Sequence, residues 1–495
     1  MVRKHIAVVV LTMAAAVVPA MALAQEAKPA APETKPVPPP PTDAKSVLAA
    51  VEKAMGAASV NTIQYSGSGS NAGIGQNRNP QADWPLVRVK SYTREVDFGA
   101  TGSPASRVQT VRIQGGNEQK QDQTIAPGAP WGQQFDVWLT PYAFLKGAAA
   151  NPTTVESVTQ LGVPYTMATF TLQNKYKVAA YIDAQSLISK VETWVDNTVI
   201  GDMKVEAYFS DYKDYGGAKF PTTIINKQDG RNTLILVVSD VKPNAPVNIA
   251  PQQAQTPAAP PQPVAAKAER VADGVYYIMG GSHHSVAIQF NNFVAVIEGP
   301  QNEERSLAVI REVERVTNGP IRYLINTHHH FDHSGGLRTY VEHGATIVTH
   351  ETNKAFYERV LSPSAPRTLN PDRLALAKKA PALKIETFTD KHVITDKRRT
   401  LELYLVEGNA HNDGILMAYL PTEKILVEVD LYTPPAAGAK PPAVVSPNTT
   451  NFVENVEKLK LDVERILPLH GPGVATKADL YQFIGKPVPA VAAGN

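Results

Sequence analysis

The chain has 495 residues, 48 Lys+Arg against 46 Asp+Glu, a 19% charged fraction and no cysteine. At roughly 100 to 200 residues per domain that is two or three domains, and a formal net charge of +2 provides no basic field suited to nucleic acid. The absence of cysteine excludes disulfides, thiol nucleophiles, iron–sulfur clusters and thiolate zinc sites, so any metal must be held by histidines and carboxylates.

Arg3 and Lys4 precede an apolar run from Ile6 to Val18, and Ala22-Leu23-Ala24 before Gln25 has the small-residue form of a cleavage site. Residues 1–24 therefore read as a secretory signal peptide. The run is short of the about 20 apolar residues of a membrane span, so the expectation is a periplasmic or secreted chain with no transmembrane segment after signal cleavage. The small basic excess lies in Arg3 and Lys4, and cleavage balances the charge. A Pro/Ala-rich spacer at 25–43 and a Pro/Ala/Gln-rich linker at 243–268 read as extended tethers. They bound an N-terminal domain at 44–242 and a second domain at 269–486, followed by a tail at 487–495.

The first domain opens with Val47, Leu48, Val51 and Met55 at the spacing of one helical face. Runs such as YTMATFTL (165–172), KVAAYID (177–183), ISKVETWV (188–195), MKVEAYFSDY (203–212) and LILVVSDV (234–241) alternate or stay apolar between turn signals at Gly216-Gly217 and Asp229-Gly230, which predicts long antiparallel strands. The order YIDAQSLISKVETW, then YKDYGGAKFPTTI, resembles the half-barrel of periplasmic lipoprotein carriers. The resemblance implies a β-rich half-barrel-like domain with one leading helix and an apolar cavity.

In the second domain VAVIEG (294–299) predicts a buried strand, 302–316 a helix with Leu307, Ile310 and Val313 on one face, and IRYLIN (321–326) another strand. That strand runs into Thr327-His328-His329-His330-Phe331-Asp332-His333-Ser334-Gly335-Gly336. On an extended strand end, residues two apart point the same way, so His328 and His330 converge on one ion, and the following turn can swing Asp332 and His333 toward a second. Imidazole and carboxylate donors suit zinc first, with iron or manganese as the other fitting ions.

THHHFDHSGG resembles the signature of the metallo-β-lactamase superfamily, and EGNAHNDG, KILVEVDLYTP and ILPLHGPG follow in the order of that pattern. The resemblance implies an α+β two-domain chain whose C-terminal half is an αββα sandwich. It also implies two zinc ions, the first held by His328, His330 and His411, the second by Asp332, His333 and His470, with Asp430 bridging. Asp332 is the expected catalytic residue, orienting a metal-bridging hydroxide and moving its proton. His329 is expected to support the site by packing, Thr327 to lie behind it, and Asp413 either to orient His411 or to serve an ordinary turn.

His283 and His284, in a Gly-Gly-Ser loop, are the candidate substrate-binding residues. Residues 351–399 read as a helix-leaning insert that could wall the pocket with Phe356, Tyr357 and Arg367, closing in a solvated Lys397-Arg398-Arg399. Asp430 stands where cysteine-using β-lactamases carry a thiol, which argues against β-lactam hydrolysis, and His330 stands where flavodiiron relatives place a Glu, which argues against oxygen reduction. What remains is hydrolysis of a small-molecule ester, lactone, thioester, phosphoester or sulfate ester, with no nucleic acid partner. The alternatives are an exported binding or accessory protein with a structural metal domain, and a mononuclear iron dioxygenase.

Overall fold

The structure, a computed structural model, describes residues 43–99, 103–249, 264–436 and 442–488. The signal peptide, nearly all of the spacer, most of the linker and most of the tail lie outside these residues. Among the described residues no helix is long and apolar enough to cross a membrane.

The leading helix spans Ala44–Met55. The Asp43 side chain caps it by accepting from Ser46 N at 2.9 Å, and Val47, Val51 and Met55 form its buried face. Eleven strands between Thr62 and Pro243 then make one antiparallel sheet. The strands from Thr154 onward form one meander and those from Thr62 to Ile125 another. The two join where Thr62–Ala72 pairs with Arg231–Pro243, placing Tyr65 opposite Val241. Two helices beyond the one expected, Trp131–Trp138 and Pro141–Ala150, pack onto this sheet through Trp138, Tyr142 and Phe144. The second of them is buried on nearly all sides, and a helix that is apolar all round carries no 3.6-residue alternation to read.

The second region is an αββα sandwich. Seven strands between Lys267 and Phe388 form one sheet and six between Lys391 and Thr476 the other. Val286, Ile288, Ala295 and Ile297 belong to the core shared with Leu401, Leu403 and Met417 of the second sheet, whereas Ala287, Val294 and Val296 join the cluster of the helix Glu303–Val316. Strands covered on both faces read as continuous apolar runs. The second sheet is covered by Pro447–Lys458 and Lys477–Phe483.

Residues 351–399 are not an insert standing beside the fold. They break into the short helices Lys354–Val360 and Arg373–Leu376, then supply the last strand of the first sheet, Ile385–Phe388, and the first of the second, Lys391–Thr395. The prolines between the helices lay a non-helical segment against the N-terminal sheet. There Asp202 accepts from Thr368 N at 2.8 Å and Leu369 N at 3.0 Å. Arg367, expected near substrate, is buried and donates to Thr198 O and Val199 O at 2.9 and 2.8 Å, with Asp372 beside its Nε. Phe356 and Tyr357 are buried as well. Arg399 is not a solvated loop residue: it is buried, pairs with Glu423 at 2.8 Å and donates to the carbonyls of Asp273 and Gln289.

Arg367→Ala should therefore lower stability by about 1–3 kcal/mol, because the carbonyls of Thr198 and Val199 lose their buried donor. Thermal or urea unfolding measures the loss, and an unchanged midpoint would show that the two regions are not held together through this guanidinium.

Candidate metal centre

The candidate ligands sit on strand ends and turns of both sheets. Ile321–Ile325 leads into His328 and His330, which at φ −54° precedes the short turn Phe331–Ser334 carrying Asp332 and His333. Gly335 is required by close approach, since a Cβ there would meet the Gln301 carbonyl oxygen at 1.9 Å. The neighbouring parallel strands Ile425–Glu428 and Arg465–Pro468 deliver Asp430 and His470 side by side. His411 lies in the loop before Leu416–Leu420.

These residues form two groups. His328, His330, His411 and Asp430 each place one donor atom within 4.8 Å of the others, and so do His283, His333 and His470. Asp430 joins the groups: its Oδ2 is 3.0 Å from His411 Nε2, 3.3 Å from His328 Nε2 and 3.2 Å from His333 Nε2, and its Oδ1 is 2.8 Å from His470 Nε2. A cation held tetrahedrally at about 2.0–2.1 Å separates its ligand atoms by about 3.3 Å, close to the spacing found here. His328 Nε2 and His330 Nδ1 are buried without a hydrogen-bond partner, which a cation between them would resolve. The donor set thus fits a borderline divalent metal.

Several of the imidazoles are oriented from behind, as metal-ligating histidines require. His333 Nδ1–H donates to Glu298 Oε2 at 2.8 Å, and Glu298, fully buried, also accepts from Thr327 N at 2.7 Å. His470 Nδ1–H donates to Ser282 O at 2.8 Å. Asp430, at φ 58°, rides a turn whose Leu431 and Tyr432 amides donate to Glu428. Both Glu298, at φ 69°, and Asp430 occupy the left-handed region, a conformation tolerated where the surroundings enforce it.

Part of this support comes from the N-terminal sheet. The loop between Thr62–Ala72 and Leu86–Asp97 reaches over the centre, and His330 Nε2–H donates to Asn77 O at 3.0 Å, leaving Nδ1 as the free donor atom. His329 Nε2–H donates to Asn77 Oδ1 at 3.0 Å while its Nδ1 accepts from Asn412 at 3.1 Å, so this middle histidine ties the loop to the turn bearing His411. Gln76 donates to Asp332 Oδ1 at 2.9 Å. Asp413 faces the same loop, accepting from Arg78 at 2.5 Å and Asn79 at 2.8 Å, and does not orient His411. Gly75, at φ 75°, lies where a Cβ would collide with the Phe331 ring at 2.3 Å.

Burial, then the neighbouring His411, pushes His330 down to about 4, so it is neutral and fit to coordinate near pH 7. Burial likewise holds His328 and His329 below their usual range. Burial alone would raise Asp430, but the imidazoles at its two oxygens outweigh it and hold the carboxyl far below the carboxylate range. Asp332 is held low in the same way, burial being outweighed by His283, His333 and Gln76.

Asp332 belongs to neither group of donors. Its Oδ2 stands 3.5 Å from His333 Nε2 and 3.3 Å from His283 Nε2, and its side chain is 40% exposed. His283, expected at the substrate, is drawn into the second group. His284 is not in the cleft: it is buried against Tyr277 and donates from Nε2 to Gly471 O at 2.9 Å. The supporting residues Asn77, Gln76, Glu298 and Glu428 are not marked as site residues by any motif of the sequence. Only Glu298, a carboxylate ending the apolar run VAVI, carries a local signal.

Asn77→Ala removes the acceptor of His329 and loosens the loop whose carbonyl orients His330. It should weaken metal binding about 10–100-fold, as loss of outer support does at other metal sites. Competition with a chromophoric chelator measures this, and unchanged affinity would make the loop a bystander.

Residues 278–473 match the family model described as the metallo-beta-lactamase superfamily. Nothing among curated proteins matches the chain. Similar solved structures include a metallo-beta-lactamase from Pontibacter korlensis (17% identity over 44% of this chain and 97% of that one, TM-score 0.34). Another is a metallo-beta-lactamase from Pseudomonas aeruginosa in its mono-zinc form (17%, 46% and 96%, TM-score 0.34). A third is rubredoxin oxygen:oxidoreductase from Desulfovibrio gigas (15%, 44% and 61%, TM-score 0.33). With its αββα sandwich and clustered histidines, the segment 278–473 is a domain of the metallo-beta-lactamase superfamily.

Proposed function

We propose that the chain is an exported hydrolase that holds two zinc ions and cleaves a small-molecule ester, lactone, thioester, phosphoester or sulfate ester. The observation that carries this reading is Asp430, whose Oδ2 lies within 3.3 Å of imidazoles from both groups, the place a bridging ligand occupies. His328, His330 and His411 would hold one ion, and His333 and His470 the other. Bound there, the metal pair supplies water activation and polarisation of the substrate's electrophilic centre.

The protein's own contribution falls to Asp332. Gln76 engages its Oδ1, while its Oδ2 faces His283 and His333 at the edge of the cluster. Held ionised, it orients a nucleophilic water, accepts its proton and returns that proton to the leaving group. The alternative of a binding or accessory protein with a structural metal domain would account for the buried donors equally, but it gives no role to the ionised, 40% exposed Asp332 beside them. Completeness of the second group likewise favours two metals over the mononuclear iron reading.

Protein purified without chelator should contain about two equivalents of zinc, iron or manganese per chain. On a panel of the five bond types, His330→Ala and Asp332→Asn should each lower kcat/KM about 100-fold or more against whichever substrate turns over. Metal-free protein with no binding capacity, or variants that turn over normally, would sink the assignment.

Export rests on the leader pattern alone. Intact-mass analysis of protein recovered from the periplasm or medium should give a chain beginning at Gln25, and a cell-associated chain retaining residues 1–24 would refute it.

A further inference from the structure

We infer that His283 is a ligand of the second metal position, shared with His333, His470 and Asp430, rather than a substrate contact. This rests on the reading of the cluster as a metal centre and extends it to a residue outside the superfamily-like motifs quoted from the sequence.

The turn carrying His283 is built to a fixed position. The buried Arg305 guanidinium donates to the main-chain carbonyl of His283 at 3.1 Å and to that of Ala265 at 3.1 Å. The next residue, His284, donates from its main-chain N to Leu469 O at 2.9 Å and from its ring to Gly471 O at 2.9 Å. The turn is therefore fastened on both sides of His470. A residue meant to follow a mobile substrate needs no such clamp, whereas a ligand that must meet a small ion within a few tenths of an ångström does.

The ring, like its neighbours, has its Nδ1 in polar contact, here with Ser282 Oγ and with Gln301 Nε2 at 3.3 Å. His333 Nδ1 is engaged by Glu298, His470 Nδ1 by Ser282 O, and His283 Nδ1 lies 2.8 Å from Ser282 Oγ. With every Nδ1 engaged, the Nε2 atoms are left to converge. Those of His333 and His470 are 3.3 Å apart, and that of His283 is 3.3 Å from Asp332 Oδ2, which is 3.5 Å from His333 Nε2. The His283 ring meets those of His470 and His333 at centroid distances of 4.3 and 4.9 Å. Three imidazoles with one shared carboxylate make a nitrogen-rich set, which suits zinc, cobalt or iron over manganese or magnesium.

Zinc titration of the metal-stripped full chain, with a chelator competitor, tests this in wild type, His283→Ala, His283→Gln and His330→Ala. Wild type should bind two equivalents, and His283→Ala should keep one while the other weakens about 100-fold or more, beyond the 10–100-fold of an outer partner. His283→Gln, which keeps an amide donor to Asp332, should lose the same equivalent. His330→Ala should lose the other one. In the cobalt-loaded chain, the visible bands of the second equivalent should change on His283→Ala and partly recover with added imidazole. Two equivalents of unchanged affinity in either His283 variant would overturn the proposal, including the case where only KM rises. Wild type that binds no metal would overturn it together with the metal-centre reading. If His283→Ala proves unfolded by circular dichroism, the glutamine variant decides.

Discussion

Everything about the centre turns on one carboxylate. Asp430 accepts from or faces four imidazoles, those of His328, His333, His411 and His470, through two oxygens. Those histidines come from three separate stretches of chain, and a single anion placed among them sets the distances at which they can converge. The sandwich is arranged to hold it still. Two parallel strands place Asp430 beside His470, a turn in the left-handed region aims its side chain, and Glu428 holds that turn by its amides. Glu298 does the equivalent for His333 from the other sheet. The two buried glutamates therefore act as fixed points from which the donor atoms are hung.

The N-terminal sheet is part of this scheme rather than an appendage to it. Asn77 supplies the acceptors for His329 and His330, Gln76 holds Asp332, and Arg78 with Asn79 engages Asp413. Arg359 pairs with Asp229 and Arg367 grips the turn at 197–199, which fixes the sheet from which that loop extends. Hydrogen bonds, several of them buried, thus tie the two regions together.

Much of the C-terminal half was legible because its signals are local. His328, His330, Asp332 and His333 lie within six residues, and the period-two geometry of a strand end already predicts their convergence. Asp430 and His470 were legible through the order of motifs. The strands from Val163 to Pro243 announced themselves by alternation, but the earlier five, such as Asn117–Ile125 with its polar run NEQKQDQT, gave no comparable apolar signal. Asn77 was out of reach for a different reason. Its value lies in a contact 252 residues away along the chain, and nothing local distinguishes it from a loop asparagine. His283 sits between these cases: its type was visible, but whether it faces a substrate or an ion depends on Arg305 and the 469–471 segment closing on its turn.

The reach of the loop around Asn77 also spreads the centre along the chain. Donors and their acceptors are scattered from Asn77 to His470, so no chain ending short of His470 contains the whole set. The N-terminal sheet lies wholly within residues up to Pro243, and the histidines that its loop contacts come later in the chain. His328, His333 and His411 precede Asp430 in the chain, and the strand Arg465–Pro468 brings the last of its four imidazoles, His470, alongside. A chain cut short of that strand keeps His328, His330, His411 and Asp430 together but loses the imidazole that faces the second carboxylate oxygen, so the two halves of the cluster differ in how much of the chain they need.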